Sequence, residues 1–206
     1  MKNILLVEGP DDEHVFKNLC GKHNFPLLDE VKPHGGYTGL LDAIPTRIKE
    51  SDVGALGIVI DADTDLSSRW ASVRDRLKKG GYNAPMEPDK SGLVLIPPTG
   101  SLLPRVGVWI MPDNKLPGIL EDFIRDLVPV GDQLYEYAET CVAGIAPAQK
   151  RFRDIDLPKV HIHTWLAWQD EPGKPLGQAI TRGTLDANSP QAMEVVSWLK
   201  RLYLPA

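Results

Sequence analysis

Two short apolar runs, Ile4-Leu5-Leu6-Val7 and Leu56-Gly57-Ile58-Val59-Ile60, each stop at an acidic cluster. The first is followed by Glu8-Gly9-Pro10-Asp11-Asp12 and the second by Asp61-Ala62-Asp63-Thr64-Asp65. Runs of this length without a polar side chain predict strands buried on both faces, as in a parallel sheet covered by helices. Further strands are predicted at 30–33, 93–96 and 106–111. Between them the apolar spacing turns helical. A helix over 11–19 puts Val15, Phe16 and Leu19 on its inward stripe, and a second over 40–49 is weakened or kinked by Pro45. A third over 67–79 is closed by Gly80-Gly81, and a short fourth covers 119–127. The order predicts an α/β fold with a mainly parallel, Rossmann-like sheet flanked by helices. The strands at 93–96 and 106–111 have no helix between them, which points to an antiparallel edge. Beyond Pro129 the pattern is helical, clearest at 132–142 and 192–202. The expected organisation is an α/β domain over 1–128 and a C-terminal helical extension over 129–206 packed on the same core.

Composition narrows the class without changing the fold. The chain has 206 residues, 42% hydrophobic and 25% charged, as in an ordinary globular protein. A formal net charge of -5 argues against a broad electropositive nucleic-acid surface. It leaves room for an enzyme that meets phosphates through metal ions. Two cysteines, Cys20 and Cys141, make neither a disulfide framework nor a zinc motif. They are expected to be small buried residues in a reducing compartment. No apolar run has spanning length, and Met1-Lys2-Asn3 leads into a strand rather than a signal peptide, so the expectation is a cytoplasmic protein without membrane contact.

The chemistry concentrates at the strand ends. In open α/β sheets ligands bind in the crevice beyond the carboxyl ends of the strands. Glu8 stands at one such end and Asp61 and Asp63 at another. If the backbone stays extended, the alternate spacing points both aspartates at one mouth. Crowded carboxylates resist ionising together unless a cation or protons neutralise them. Glu8, Asp61 and Asp63 therefore form a candidate site for one or two Mg²⁺ (or Mn²⁺) ions, with Asp65 as an auxiliary ligand. The competing reading of Asp65 is a helix N-cap. Asp12, Asp113, Glu121 and Asp122 form a second tier: Asp113 also follows a strand, whereas the others sit early in helices, where carboxylates suit the dipole regardless. Gly35-Gly36 is either a phosphate-binding backbone nest or a plain turn. His161 and His163 lack partners for a zinc site and read as packing residues beside Trp165, Leu166 and Trp168. The basic run Lys150, Arg151, Arg153 is either a phosphate contact or a solvated face.

The Val7-Glu8-Gly9 turn, followed about fifty residues later by a strand ending in Asp61-x-Asp63, resembles the Toprim domain of topoisomerases, bacterial primases and small nucleases. The resemblance covers Lys2 to Asp126. The wider chain is similar to a poorly characterised Toprim-like group, through Trp109-Ile110-Met111-Pro112-Asp113-Asn114, Leu120-Glu121-Asp122-Phe123 and Leu166-Ala167-Trp168-Gln169 with Pro172-Gly173. The resemblance implies that Glu8 serves proton transfer or metal contact and that Asp61 and Asp63 hold metal. It further implies metal-dependent phosphodiester chemistry on nucleic acid, by a small nuclease or by the catalytic subunit of an assembly. No region matches a topoisomerase tyrosine domain or a primase zinc domain. Two other readings stand beside this one. Gly57-Ile58-Val59-Ile60-Asp61-Ala62-Asp63-Thr64 also resembles the first motif of haloacid-dehalogenase-type phosphatases, which would give Glu8 no task. The third reading is a non-catalytic interaction subunit with a degenerate site, bound to a protein partner or a second copy.

Overall fold

A computed structural model of the chain describes residues 1–26 and 28–204. Its centre is a five-stranded sheet in the order β2-β1-β3-β5-β4. The strands are β1 (Lys2–Val7), β2 (Glu30–Pro33), β3 (Val53–Asp61), β4 (Leu93–Leu95) and β5 (Arg105–Met111). β1 pairs in parallel with β2 and β3, and β3 with β5, whereas the short edge strand β4 runs antiparallel to β5. The mainly parallel α/β architecture and its antiparallel edge follow the sequence expectation.

The helices sort onto two faces because parallel crossovers are right-handed. From β1 the chain steps to β2 through α1 (Pro10–Lys22), then returns past β1 to β3 through α2 (Tyr37–Ile48). Steps in opposite directions put α1 on one face and α2 on the other, and α3 (Leu66–Lys79) joins α2. The side-chain parity of the strands agrees. Ile4, Leu6, Leu56, Ile58 and Ile60 pack with Leu40, Ile44, Trp70 and Val73 of α2 and α3. Leu5, Val7, Ala55 and Val59 pack with Val15, Phe16 and Leu19 of α1. The second cluster continues without a break into the later helices α4 (Leu120–Arg125), α5 (Gln133–Ala143), α6 (Leu157–Ala167), α7 (Leu176–Arg182) and α8 (Pro190–Tyr203). These helices bury Trp165, Trp198, Leu199 and Leu202 against the sheet side.

α8 closes that face at unusually short range. Gly57 and Gly107 are register partners on neighbouring strands, and a Cβ at Gly107 would stand 2.6 Å from Leu202 Cδ2. The flat patch they leave admits Leu202 and Tyr203, and the buried Tyr203 hydroxyl donates to the Ile4 carbonyl at 2.7 Å. Two details depart from expectation. α2 begins at Tyr37, three residues early, although Pro45 lies inside it as expected. Cys141, expected to be buried, is exposed on α5, while Cys20 is buried as anticipated. No described helix is long and apolar enough to cross a membrane.

Candidate functional site

β1 and β3 are neighbours whose following helices leave to opposite faces, so their carboxyl ends flank the switch point where such sheets open a crevice. A cleft of about 260 Å³ opens there. It is walled by Glu8, Asp12, Asp61 and Glu121, with Lys159 and the Gly35-Gly36 backbone. Glu8 is anchored across the gap between the strands: its Oε1 accepts the Asp61 amide at 2.9 Å. The Glu8 carbonyl in turn accepts the Gly36 amide at 2.8 Å, which ties the β2–α2 turn to the same rim. Gly36 has φ 103, a conformation side-chain-bearing residues avoid, and no neighbour would meet a Cβ there. Backbone geometry, not crowding, therefore favours glycine at this wall.

Asp12 and Glu121 enter from the first turns of α1 and α4. Each is almost fully buried, unusual for a carboxylate. Asp12 Oδ2 accepts the Gly9 amide at 2.9 Å and so caps α1 while facing the cleft. Glu121 Oε1 meets Lys159 Nζ at 3.1 Å. Asp61 ends β3 with the parity of Val59, on the α1 and α4 side, and its Oδ1 is buried without a hydrogen-bond partner. An orphaned carboxylate oxygen among other carboxylates is costly unless it is protonated or meets a cation.

The electrostatics carry the same signature. Burial, reinforced by the charges of Asp12, Glu8 and Glu121, pushes the Asp61 carboxyl well above the usual carboxylate range, with the Leu120 amide pulling the other way. Burial chiefly raises Asp12 to about 7, against the Gly9 hydrogen bond and with Glu8 and Glu121 adding to the rise. Glu8 is also raised by burial, less so because the Asp61 amide and the Arg69 charge favour its ionised form. Burial alone would lower Lys159, but the Glu121 charge and hydrogen bond outweigh it and hold the ammonium more firmly protonated.

Asp61 and Asp63 do not share a mouth. The chain leaves the extended conformation at Asp63, whose φ is 49, and the Asp63 amide and carbonyl bond both ways with Gly118 at 2.8 Å. The Asp63 carboxylate turns to the α3 side and ion-pairs with Arg69. There it lines a second cleft of about 500 Å³ with Tyr37, Ser68, Arg153 and Ile155. Arg69 also stacks on Tyr37, its guanidinium carbon 3.7 Å from the ring centroid.

The remaining candidates serve the backbone. Asp65 caps α3, with Oδ1 accepting the Ser68 amide at 3.0 Å. Asp113 Oδ1 accepts the Lys115 and Leu116 amides, both at 2.9 Å, and so shapes the turn after β5. Asp122 Oδ2 accepts the Ile119 amide at 3.0 Å at the start of α4. His161 is half-buried, 3.7 Å from Glu139, and away from the cleft. Lys159 is absent from the candidates the sequence offered, as are Tyr37 and Arg69 of the second cleft. Lys159 sits about a hundred residues from Asp61, on a helix with little periodic signal.

Among the described residues, no group of three or more His, Cys, Asp or Glu side chains is arranged as a ready-made metal cage. Magnesium needs less than that, since one or two carboxylates, waters and substrate phosphate commonly complete its coordination. The side-chain donors nearest Asp61 in the cleft are all carboxylate oxygens, the chemistry of a hard cation, and the Asp61 Oδ1 is the one without a partner.

A family model described as a protein of unknown function (DUF3226) matches residues 2–204. The chain belongs to that family. The match runs from β1 through α8, so the strand-end acids and Lys159 all lie inside the family's span. No curated protein and no solved structure matches the chain.

Proposed function

We propose that this member of the DUF3226 family is a Toprim-like, Mg²⁺- or Mn²⁺-dependent enzyme that hydrolyses phosphodiester bonds in nucleic acid. The observation that carries the reading is the orphaned, buried Oδ1 of Asp61 at the switch point, surrounded by Glu8, Asp12 and Glu121. Asp61 is the principal ligand, assisted by Glu8 or Asp12. When bound, the ion offsets charge on the phosphoryl oxygens. Glu8, held in place by the Asp61 amide, is aimed to take a proton from the attacking water or to return one to the leaving oxygen. Lys159, held by Glu121, adds a fixed positive charge at the rim that favours the approach of phosphate. The Gly35-Gly36 wall offers backbone without a side chain, which lets a phosphate come close.

The phosphatase reading is less well supported. It requires the second aspartate of the motif to act as acid and base beside the first, yet Asp63 is turned away and held by Arg69. It also leaves Glu8 idle, although Glu8 faces the Asp61 cleft. An interaction subunit with a degenerate site has one observation in its favour, the absence of a complete metal cage among the described residues.

The test is a calorimetric titration of Mn²⁺ into the purified chain, with Glu8→Gln, Asp61→Asn and Asp63→Asn alongside, followed by a phosphodiesterase assay on bis(p-nitrophenyl) phosphate. The expected result is binding and hydrolysis by the wild type and loss of both with Asp61→Asn. Hydrolysis that survives Asp61→Asn would sink the proposal. Binding abolished by Asp63→Asn but kept by Asp61→Asn would move the metal to the other cleft.

A further inference from the structure

The second cleft has no role in the reading above, although it begins at the same rim. Tyr37 directly follows Gly36, and Asp63 stands two residues beyond Asp61, so the two clefts lie on either side of one short wall. Their chemistry differs. In the first, the acids outnumber the one cation, Lys159. In the second, Asp63 is paired with Arg69, Asp65 is occupied in capping α3, and Arg153 stands at the mouth with most of its side chain in solvent. The Asp63 ion pair engages Nη2 of Arg69, while the guanidinium carbon sits over the Tyr37 ring. Arg153 uses Nε and Nη2 on Asp156, at 2.8 and 2.9 Å, which leaves Nη1 for another acceptor. The cleft thus combines a guanidinium–phenol pair with a second arginine and the Ser68 hydroxyl. These are the groups on which a nucleobase stacks and with which its flanking phosphate pairs.

We infer that the second cleft is a binding site for a flanking nucleotide: the Tyr37–Arg69 stack takes a base and Arg153 takes the adjoining phosphate of a single strand whose next phosphodiester lies in the Asp61 cleft. This rests on the phosphodiester reading of the first cleft and adds the substrate's form. The preferred ligand is a single-stranded polynucleotide of two or more residues, not a phosphate monoester or a free nucleotide. A double helix suits the wall poorly, because its bases are already stacked and unavailable to Tyr37 and Arg69. The chemistry is common to DNA and RNA, and the 2′-hydroxyl decides between them.

The test measures binding of 5′-fluorescein-labelled ten-nucleotide DNA and RNA single strands to the full chain in EDTA by anisotropy. Hydrolysis of bis(p-nitrophenyl) phosphate in Mn²⁺ is followed in parallel. Arg153→Ala removes an exposed side chain, and Tyr37→Leu keeps the apolar bulk that packs on the α2–α3 core while abolishing the stack; thermal melts of both variants check that the fold is kept. The expected result is that at least one strand binds and that each substitution weakens it by about fivefold or more, the lower end of what one stacked base contributes. That loss should exceed any rise in KM for the small diester. Failure of the wild type to bind either strand, or binding indifferent to both substitutions, overturns the inference. If strand binding depends on both residues while no diester is hydrolysed and no Mn²⁺ binds, the second cleft stands as a nucleic-acid site and the catalytic reading of the first is what fails.

Discussion

The two clefts at the end of β3 are built from the same short stretch of chain and reach opposite solutions. Asp61 keeps the parity of its strand and is driven among Glu8, Asp12 and Glu121, where one of its oxygens has no partner. Asp63, two residues on, adopts a positive φ and meets Arg69. One acid is left exposed to its neighbours' charge; the other is compensated within its own helix-side surroundings. The lesson is that an Asp-x-Asp spacing defines one site only while the backbone remains extended, and a single residue in the left-handed region divides it into two.

The largest effect that would break this comparison is on metal-dependent turnover. Asp61→Asn is expected to abolish it and to weaken Mn²⁺ binding at least tenfold, roughly the smallest cost seen even for the outer partners of a metal site. Asp63→Asn is expected to weaken Mn²⁺ far less. Equal losses in the two variants, read by calorimetry on the same preparation, would mean that Asp63 swings back to the shared mouth when metal arrives.

Next in size is the pH dependence of stability without metal. Asp12 is held near 7 in the folded chain, against about 4 in an unfolded one, chiefly by burial. An acid whose folded pKa is raised binds its proton more tightly when folded. Its contribution is therefore full below about pH 4 and is lost as pH rises toward 7. Urea unfolding should show the wild type losing, relative to Asp12→Asn, on the order of a few kcal/mol between pH 4 and pH 8. Saturating Mn²⁺ should reduce that slope, because the ion takes over from the proton. A wild-type and Asp12→Asn difference that is flat with pH would show that Asp12 is solvated or already paired in solution.

Much of this was legible in the chain, and the rest failed for physical reasons. The apolar runs at Ile4–Val7 and Leu56–Ile60 gave the central strands, because buried parallel strands need apolar side chains on both faces. The positions of Glu8 and Asp61 followed from those strand ends. Asp12 and Glu121 were harder to read, since an acid in a helix's first turn already has a local reason to be there. Asp12 fills both roles at once, capping Gly9 and facing the cleft. Lys159 left no local mark at all. Its helix opens with Leu157-Pro158 directly after a 3-10 turn at Asp154–Asp156, buries only Ile162, Trp165 and Leu166, and reaches Glu121 through tertiary packing. Asp63 misled for the opposite reason: its sequence spacing was informative, but its bridge to Gly118 lies 55 residues away.

A smaller effect sharpens the division at Asp63 itself. A β-branched residue in the left-handed region costs roughly 1–2 kcal/mol, whereas Asp and Asn visit it more readily. Asp63→Val should therefore lower the melting temperature by several degrees, and Asp63→Asn by less, the difference reporting backbone conformation and not the lost ion pair. If both variants melt alike, the positive φ is not a feature of the folded chain in solution and the argument for two separate clefts weakens with it.

The smallest effect concerns Asp65, for which the sequence offered both an auxiliary metal ligand and a helix cap. Its Oδ1 accepts the Ser68 amide at 3.0 Å, the bond that satisfies one of the free amides opening α3. Loss of such a cap costs about 1 kcal/mol, so Asp65→Ala should lower the melting temperature by about 2–4 °C for a chain of this size. Asp65→Ser, which can still accept from Ser68, should recover most of that loss. A metal ligand would behave otherwise: serine would not restore Mn²⁺ affinity. Recovery of stability by serine with Mn²⁺ binding unchanged throughout assigns Asp65 to the helix, whereas a fall in Mn²⁺ affinity common to alanine and serine would return it to the metal.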